Sequence, residues 1–131
     1  MTVALDTSAY SFLTRGHPAL TELIQSTPEL SISAIVIGEL RAGFRYGSRQ
    51  RTNEAVLARF LATPRVRTLD VDATTAGRYS EISSYLRLQG TPLPSNDIWI
   101  AAHAMQHGLQ VATLDRHFLK MPQVSTVLFE A

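Results

Sequence analysis

The sequence predicts an α/β fold: a three-layer α/β/α sandwich around a central parallel sheet of about five strands. Two observations lead there. Short β-like runs alternate with helical patterns along the whole chain, and that alternation joins parallel strands through crossover helices. The strand-like runs also read as short buried segments, as expected where helices cover both faces of a sheet.

The elements follow in order. Val3-Ala4-Leu5 reads as a buried strand, with a helix from about Ser8. Leu30-Ser31-Ile32 is the second strand, and Ala34 to about Tyr46 is an apolar-rich helix with a hairpin partner from about Arg51 to Ala62. Val66 to Val71 forms the third strand, after which Asp72 caps a long helix to about Leu88. Gly90-Thr91-Pro92 breaks the chain, and Ser95 is expected as the next N-cap. The helix it opens runs to His107 and stops at Gly108. Gln110 to Thr113 and Val124 to Phe129 complete the strands. In such sheets, ligands bind beyond the carboxyl ends of the strands.

Composition narrows the chemistry. A chain of 131 residues, 45% hydrophobic and 18% charged, can fill one core and is expected to form one domain. It has no cysteine, which excludes disulfides, thiol nucleophiles and thiolate metal sites. Its N-terminus lacks a basic stretch and meets Asp6 early, so no signal peptide is expected. No apolar run approaches the ~18–20 residues that span a bilayer. A cytoplasmic location is the expectation. Net charge is only +1, yet Arg41, Arg45, Arg49, Arg51, Arg59, Arg65 and Arg67 crowd a stretch where Glu54 is the only acid. Such a stretch is either a nucleic-acid face or a solvated helix surface.

Four acids lack a local structural reason. Asp6 ends the first strand and Asp115 follows the fourth. Glu39 lies in Ala34-Ile35-Val36-Ile37-Gly38-Glu39-Leu40, sharing a face with Ile35, Ala42 and Tyr46. No cation stands one turn away from it. Asp97 heads the stripe of Ile100, Ala101 and Ala104. Acids on apolar helix faces are expected to point inward, at a cost of several kcal/mol unless compensated. Taken singly, Asp6 could serve a turn, Asp97 a helix dipole, and Glu39 a distant Arg. The proposed fold instead brings all four to one end of the sheet, where they would repel. A divalent cation removes that conflict, and Mg²⁺ or Mn²⁺ suits an all-oxygen site. A phosphodiester and an activated water are its natural companions.

Asp6-Thr7-Ser8, Ile37-Gly38-Glu39-Leu40, Asn96-Asp97-Ile98-Trp99-Ile100-Ala101-Ala102-His103-Ala104 and Thr113-Leu114-Asp115-Arg116-His117-Phe118 occur in that order. This ordered set resembles the PIN-domain ribonucleases, specifically the VapC toxins of toxin–antitoxin pairs. The resemblance implies Mg²⁺- or Mn²⁺-dependent cleavage of RNA (transfer or ribosomal), homodimerisation, and inhibition by a cognate antitoxin. It carries over Asp6, Glu39, Asp97 and Asp115 as the catalytic acids, with Asp6, Asp97 and Asp115 binding metal. Ser8 and Thr113 are expected as hydrogen-bonding supports. Arg41 and Arg45 are expected to guide the RNA backbone, or else to serve the dimer or antitoxin. Many relatives have a further Asp where this chain has His117, which leaves one- and two-metal sites both open.

Other patterns compete. Asp70-Val71-Asp72-Ala73-Thr74 matches the nucleophile motif of haloacid-dehalogenase-like phosphatases, against a plain strand end and helix cap. His103 and His107 have a metal-ligand spacing but lack a zincin glutamate, so a partly exposed helix face is expected. A metal-free ribonuclease would need His17, His103, His107 or His117 as acid and base, and only His117 falls near the acids. Trp99 and Phe118 are expected in the core or a dimer interface. A non-catalytic PIN module that binds RNA or protein is the remaining alternative.

Overall fold

The computed structural model describes residues 2–131. Val3–Leu5 form β1, and all three side chains are buried. The other strands are β2 (Leu30–Ser33), β3 (Val66–Leu69), β4 (Gln110–Thr113) and β5 (Ser125–Leu128). They pair in parallel in the order β3-β2-β1-β4-β5. Chain order reverses on either side of β1, which creates a crevice at the carboxyl ends of β1 and its neighbours. The register sharpens this: Leu5 lies opposite Ile32 on one side and Ala112 on the other. Asp6 therefore leaves the sheet level with the ends of both flanking strands.

Six helices connect the strands: α1 (Thr7–Thr14), α2 (Pro18–Ser26), α3 (Ala34–Tyr46), α4 (Gln50–Leu61), α5 (Ala73–Gln89) and α6 (Ser95–His107). Two apolar clusters form around the sheet. One gathers Ala4, Ile32 and Val111 with Val36, Leu40, Leu57, Ile82, Leu86 and the α6 alanines. The other gathers Val3, Leu5 and Ala112 with Ala9, Leu20 and Ile24. The switch of cluster between successive β1 residues is the two-residue period of a strand covered on both faces.

The structure corrects several boundaries. Gly16, at a φ of 82°, ends α1, and Pro18 begins a separate α2 whose Leu20 N–H is met by the His17 ring. β3 stops at Leu69, two residues short of the expectation, and leaves Val71 42% exposed. Asp72 does cap α5, in a reciprocal capping box with Thr75. Ser95 is not a cap. Pro94 holds that position, and the Ser95 hydroxyl lies 3.0 Å from the Tyr79 hydroxyl. A one-turn 3₁₀ segment, Arg116–Lys120, precedes β5 where no helix was expected, and its Phe118 enters the core.

His103 is also corrected: it is 1% exposed, not on a partly exposed face. Its Nε2 lies 3.0 Å from the Asp70 carbonyl and its Nδ1 2.9 Å from Ser33 Oγ. The carbonyl requires an Nε2 proton, so Nδ1 accepts from the serine and the ring is neutral. Burial depresses its pKa, aided by the charge of His107 and opposed by the Asp70 carbonyl. Because the folded pKa lies below the unfolded value of about 6.5, the unfolded chain binds the proton first on acidification. Stability is expected to fall as pH drops from about 6.5 toward the folded pKa. Urea unfolding of the wild type and His103→Gln across this range should show that part of the slope disappear in the variant.

Candidate active site

Asp6 is 4% exposed and has no cationic partner among the described residues. Three donors satisfy it instead. Oδ1 accepts from Ala9 N–H and from Ser8 Oγ, each at 2.8 Å, and Oδ2 accepts from Thr113 Oγ1. The Ala9 contact is the N-cap bond of α1, so one carboxylate both starts a helix and faces the crevice. Ser8 and Thr113 extend the connection to β4. Ser8 Oγ accepts from Leu114 N–H at 3.0 Å, and Thr113 Oγ1 from Asp115 N–H at 2.8 Å.

The other acids arrive from separate elements. Glu39 projects from α3 and accepts from Thr7 Oγ1 at 2.6 Å and Asn96 Nδ2 at 3.2 Å. Its helix buries Val36 and Leu40, whereas Ala42 and Tyr46 on the expected inward face are solvent-exposed. Glu39 thus stands at the margin of the core, over the crevice. Asp97 lies in the first turn of α6, and Asp115 caps the 3₁₀ segment by accepting from His117 N–H at 2.9 Å. His117 Nδ1 lies 2.9 Å from Asp97 Oδ2 and 3.3 Å from Asp115 Oδ2. Asp6, Glu39, Asp97 and Asp115 line one recess of about 270 Å³, together with Thr7, Ser8, Ser11 and Ile100.

Crowding shows in the protonation equilibria. Burial raises the Asp6 pKa, reinforced by the Asp115 charge and opposed by the bonds from Thr113, Ala9 and Ser8. Burial also raises that of Asp97, with Asp115 and Glu39 adding to the effect and His117 opposing it. Among the described residues no Arg or Lys pairs with any of the four acids. Such a donor set fits a hard divalent cation, which would relieve burial and repulsion together. Ligand atoms of Asp97, Asp115 and His117 all lie within 4.8 Å of one another. Asp6 is outside that group, so the tightest cluster differs from the expected Asp6, Asp97 and Asp115.

A model of the PIN domain family matches residues 3–124. The chain belongs to the PIN-domain family. It is 30% identical over 99 residues to Ribonuclease VapC4 of Mycobacterium tuberculosis, covering 76% of each chain. It is 32% identical over 123 residues to the tRNA(fMet)-specific endonuclease VapC of Salmonella typhimurium, covering 92% of each. The DNA-bound VapBC structure from Salmonella typhimurium superposes with a TM-score of 0.85 at 29% identity, over 97% of each chain.

Other parts of this PIN domain lie away from the recess. Asp72 is committed to its cap and to Gln106, and Asp70 is exposed, so the phosphatase-like pair does not join the acids. Arg41 pairs with Glu54 at 3.1 Å, tying α3 to α4, and Arg45 is exposed. Neither lines the recess. Two other guanidiniums line a neighbouring groove: Arg49, from the basic stretch, and Arg15, which sequence reasoning did not single out. A groove of about 520 Å³ between α1 and the α3–α4 pair is lined by Arg15, Arg49, Tyr10, Leu40, Phe44 and Val56. Ser11 borders both groove and recess. Only the packing of α1 against the hairpin brings Arg15 beside Arg49. Thr7 and Asn96 had a signal, since each adjoins a motif acid. Trp99 stacks on Tyr79 with centroids 4.1 Å apart and lies outside the recess lining.

The raised pKa of Asp97 carries a prediction. Its folded value exceeds the unfolded one of about 3.9, so ionisation costs the folded state stability above that pH, in full beyond the folded pKa. Asp97→Asn is expected to melt a few degrees above wild type in EDTA at pH 7, since about 1 kcal/mol moves the midpoint of a chain this size by roughly 3–5 °C. The gap should close on acidification toward about pH 4, where both proteins carry a neutral side chain. Thermal denaturation followed by circular dichroism measures it.

Proposed function

We propose that this chain is a single-domain endoribonuclease that uses Mg²⁺ or Mn²⁺ and acts in the cytoplasm as the toxin of a toxin–antitoxin pair. Homodimerisation and inhibition by a cognate antitoxin belong to the same reading. The observation that carries it is the convergence of Asp6, Glu39, Asp97 and Asp115 on one recess without an Arg or Lys partner among the described residues. Relatives named ribonuclease and tRNA-specific endonuclease support the substrate class, and the solved VapBC structures support the partner.

Asp97 and Asp115 would hold the metal, with Asp6 acting directly or through water and Glu39 completing the site. A bound divalent ion supplies an acidified water and shields the charge that develops on the phosphoryl oxygens. The protein's share is positioning. Three donors fix the Asp6 carboxylate in one orientation, with Ser8 and Thr113 supporting it. Thr7 and Asn96 hold Glu39 with neutral donors, which leaves its charge uncancelled. Arg15 and Arg49 offer the phosphate backbone cationic contacts one side chain away from the acids. Attack of water on phosphorus, with departure of the 3′ oxygen as a hydroxyl, leaves 5′-phosphate and 3′-hydroxyl ends.

Antitoxin-free protein incubated with total cellular RNA is expected to yield discrete fragments with Mg²⁺ or Mn²⁺. EDTA should abolish them, and Asp97→Asn should slow cleavage by about 10²-fold or more. Cleavage that persists in EDTA would overturn the metal mechanism, and folded protein that never cuts would favour a binding module.

Arg15→Ala and Arg49→Ala act on a different quantity. Each is expected to raise KM severalfold with a smaller effect on kcat, and to flatten the salt dependence by about 0.7 in log–log slope per lost phosphate contact. Steady-state cleavage of a mapped oligonucleotide at several salt concentrations tests this.

A further inference from the structure

We propose that His117 is a nitrogen ligand of the divalent cation, and that it biases the site toward first-row transition ions such as Mn²⁺ over Mg²⁺. This rests on the metal-nuclease reading above and goes beyond it, because that reading draws on carboxylate ligands alone and His117 adds a nitrogen.

The geometry points to a ligand. His117 Nδ1 lies 2.9 Å from Asp97 Oδ2 and 3.3 Å from Asp115 Oδ2. In a six-coordinate site with bonds of about 2.1 Å, neighbouring ligand atoms stand ~3.0 Å apart. The two His117 separations are those of adjacent ligands around one ion, and ligand atoms of all three residues lie within 4.8 Å of one another. The ring is also held there: His117 N–H donates to Asp115 Oδ1 at 2.9 Å, on the one-turn segment whose Phe118 is anchored in the core.

The donor chemistry sets the bias. Mg²⁺ dehydrates reluctantly and prefers oxygen, so an imidazole in place of a carboxylate gains it little. Transition dications accept imidazole readily, with affinities that rise along the first row from Mn²⁺. The other three histidines do not enter this ligand group, and His103 is turned toward Ser33 and Asp70.

The test uses the intact chain loaded with Mn²⁺. Pulsed electron paramagnetic resonance is expected to show ¹⁴N modulation from a coordinated imidazole, absent in His117→Asp and His117→Ala. Displacement of bound Mn²⁺ by Mg²⁺, read from the free-Mn²⁺ signal, should show a Mn²⁺:Mg²⁺ affinity ratio at least tenfold higher in wild type than in His117→Asp. Mn²⁺ bound without nitrogen modulation, or a ratio unchanged in His117→Asp, would overturn the role of His117 alone. Failure of folded wild type to bind either ion would overturn the metal-nuclease reading as well. The spectrum of the wild type needs no variant, so a poorly folding substitution does not block the decision.

Discussion

The carboxylate of Asp6 must be satisfied at a point that water scarcely reaches, 4% exposed, where the central strand ends beside its neighbour. No guanidinium or ammonium among the described residues does this. Three neutral donors from α1 and β4 share the task, and that choice organises the site. It starts α1 at a defined residue, sets the turn after β4 through Ser8 and Thr113, and so determines where Asp115 leaves the sheet. Neutral donors orient a carboxylate without cancelling its charge. Glu39 is held in the same way by Thr7 and Asn96. The scaffold spends hydrogen bonds on direction and keeps the negative field for something else to neutralise.

Much of this was legible one-dimensionally because its signals are local. An apolar run followed at once by an acid marks the end of a buried strand, and Asp6 and Asp115 both announce themselves that way. The layer order follows from strands separated by helices, and Asp72 reads as a cap because its partner Thr75 is three residues on. What escaped depends on partners far along the chain. His103 is buried because Ser33 and Asp70, 70 and 33 residues away, supply complementary groups. Arg15 meets Arg49 only through the docking of α1 against α3 and α4, while the conspicuous Arg41 pairs with Glu54. Ser95 looked like a cap, but Pro94 already has the extended backbone that the position needs. The helix from Ser8 was given no end in the sequence, and Gly16 with Pro18 divides that stretch into α1 and α2. Glu39 was read as facing inward partly from Ala42 and Tyr46, which point to solvent.

Packing explains why these acids tolerate one another. They come from the end of β1, the middle of α3, the first turn of α6 and the 3₁₀ segment, each anchored by buried apolar residues such as Leu5, Val36, Ile98 and Phe118. Repulsion at the recess is thus borne by several independent parts of the core, and no single loop has to resist it. The raised pKa values of Asp6 and Asp97 express burial first, with repulsion between the acids adding to it. Sites built this way trade stability for preorganised charge.

Ser11 is a small side chain that belongs to two compartments of opposite electrostatic character, the acid recess and the arginine-lined groove. A polyanionic strand can lie across both only while a divalent cation masks the acids, because the bare recess repels the phosphates that the arginines attract. Cation loading therefore sets how much of this face a strand can use. A small inhibitor that reaches across both would join a metal-chelating end to an anionic one.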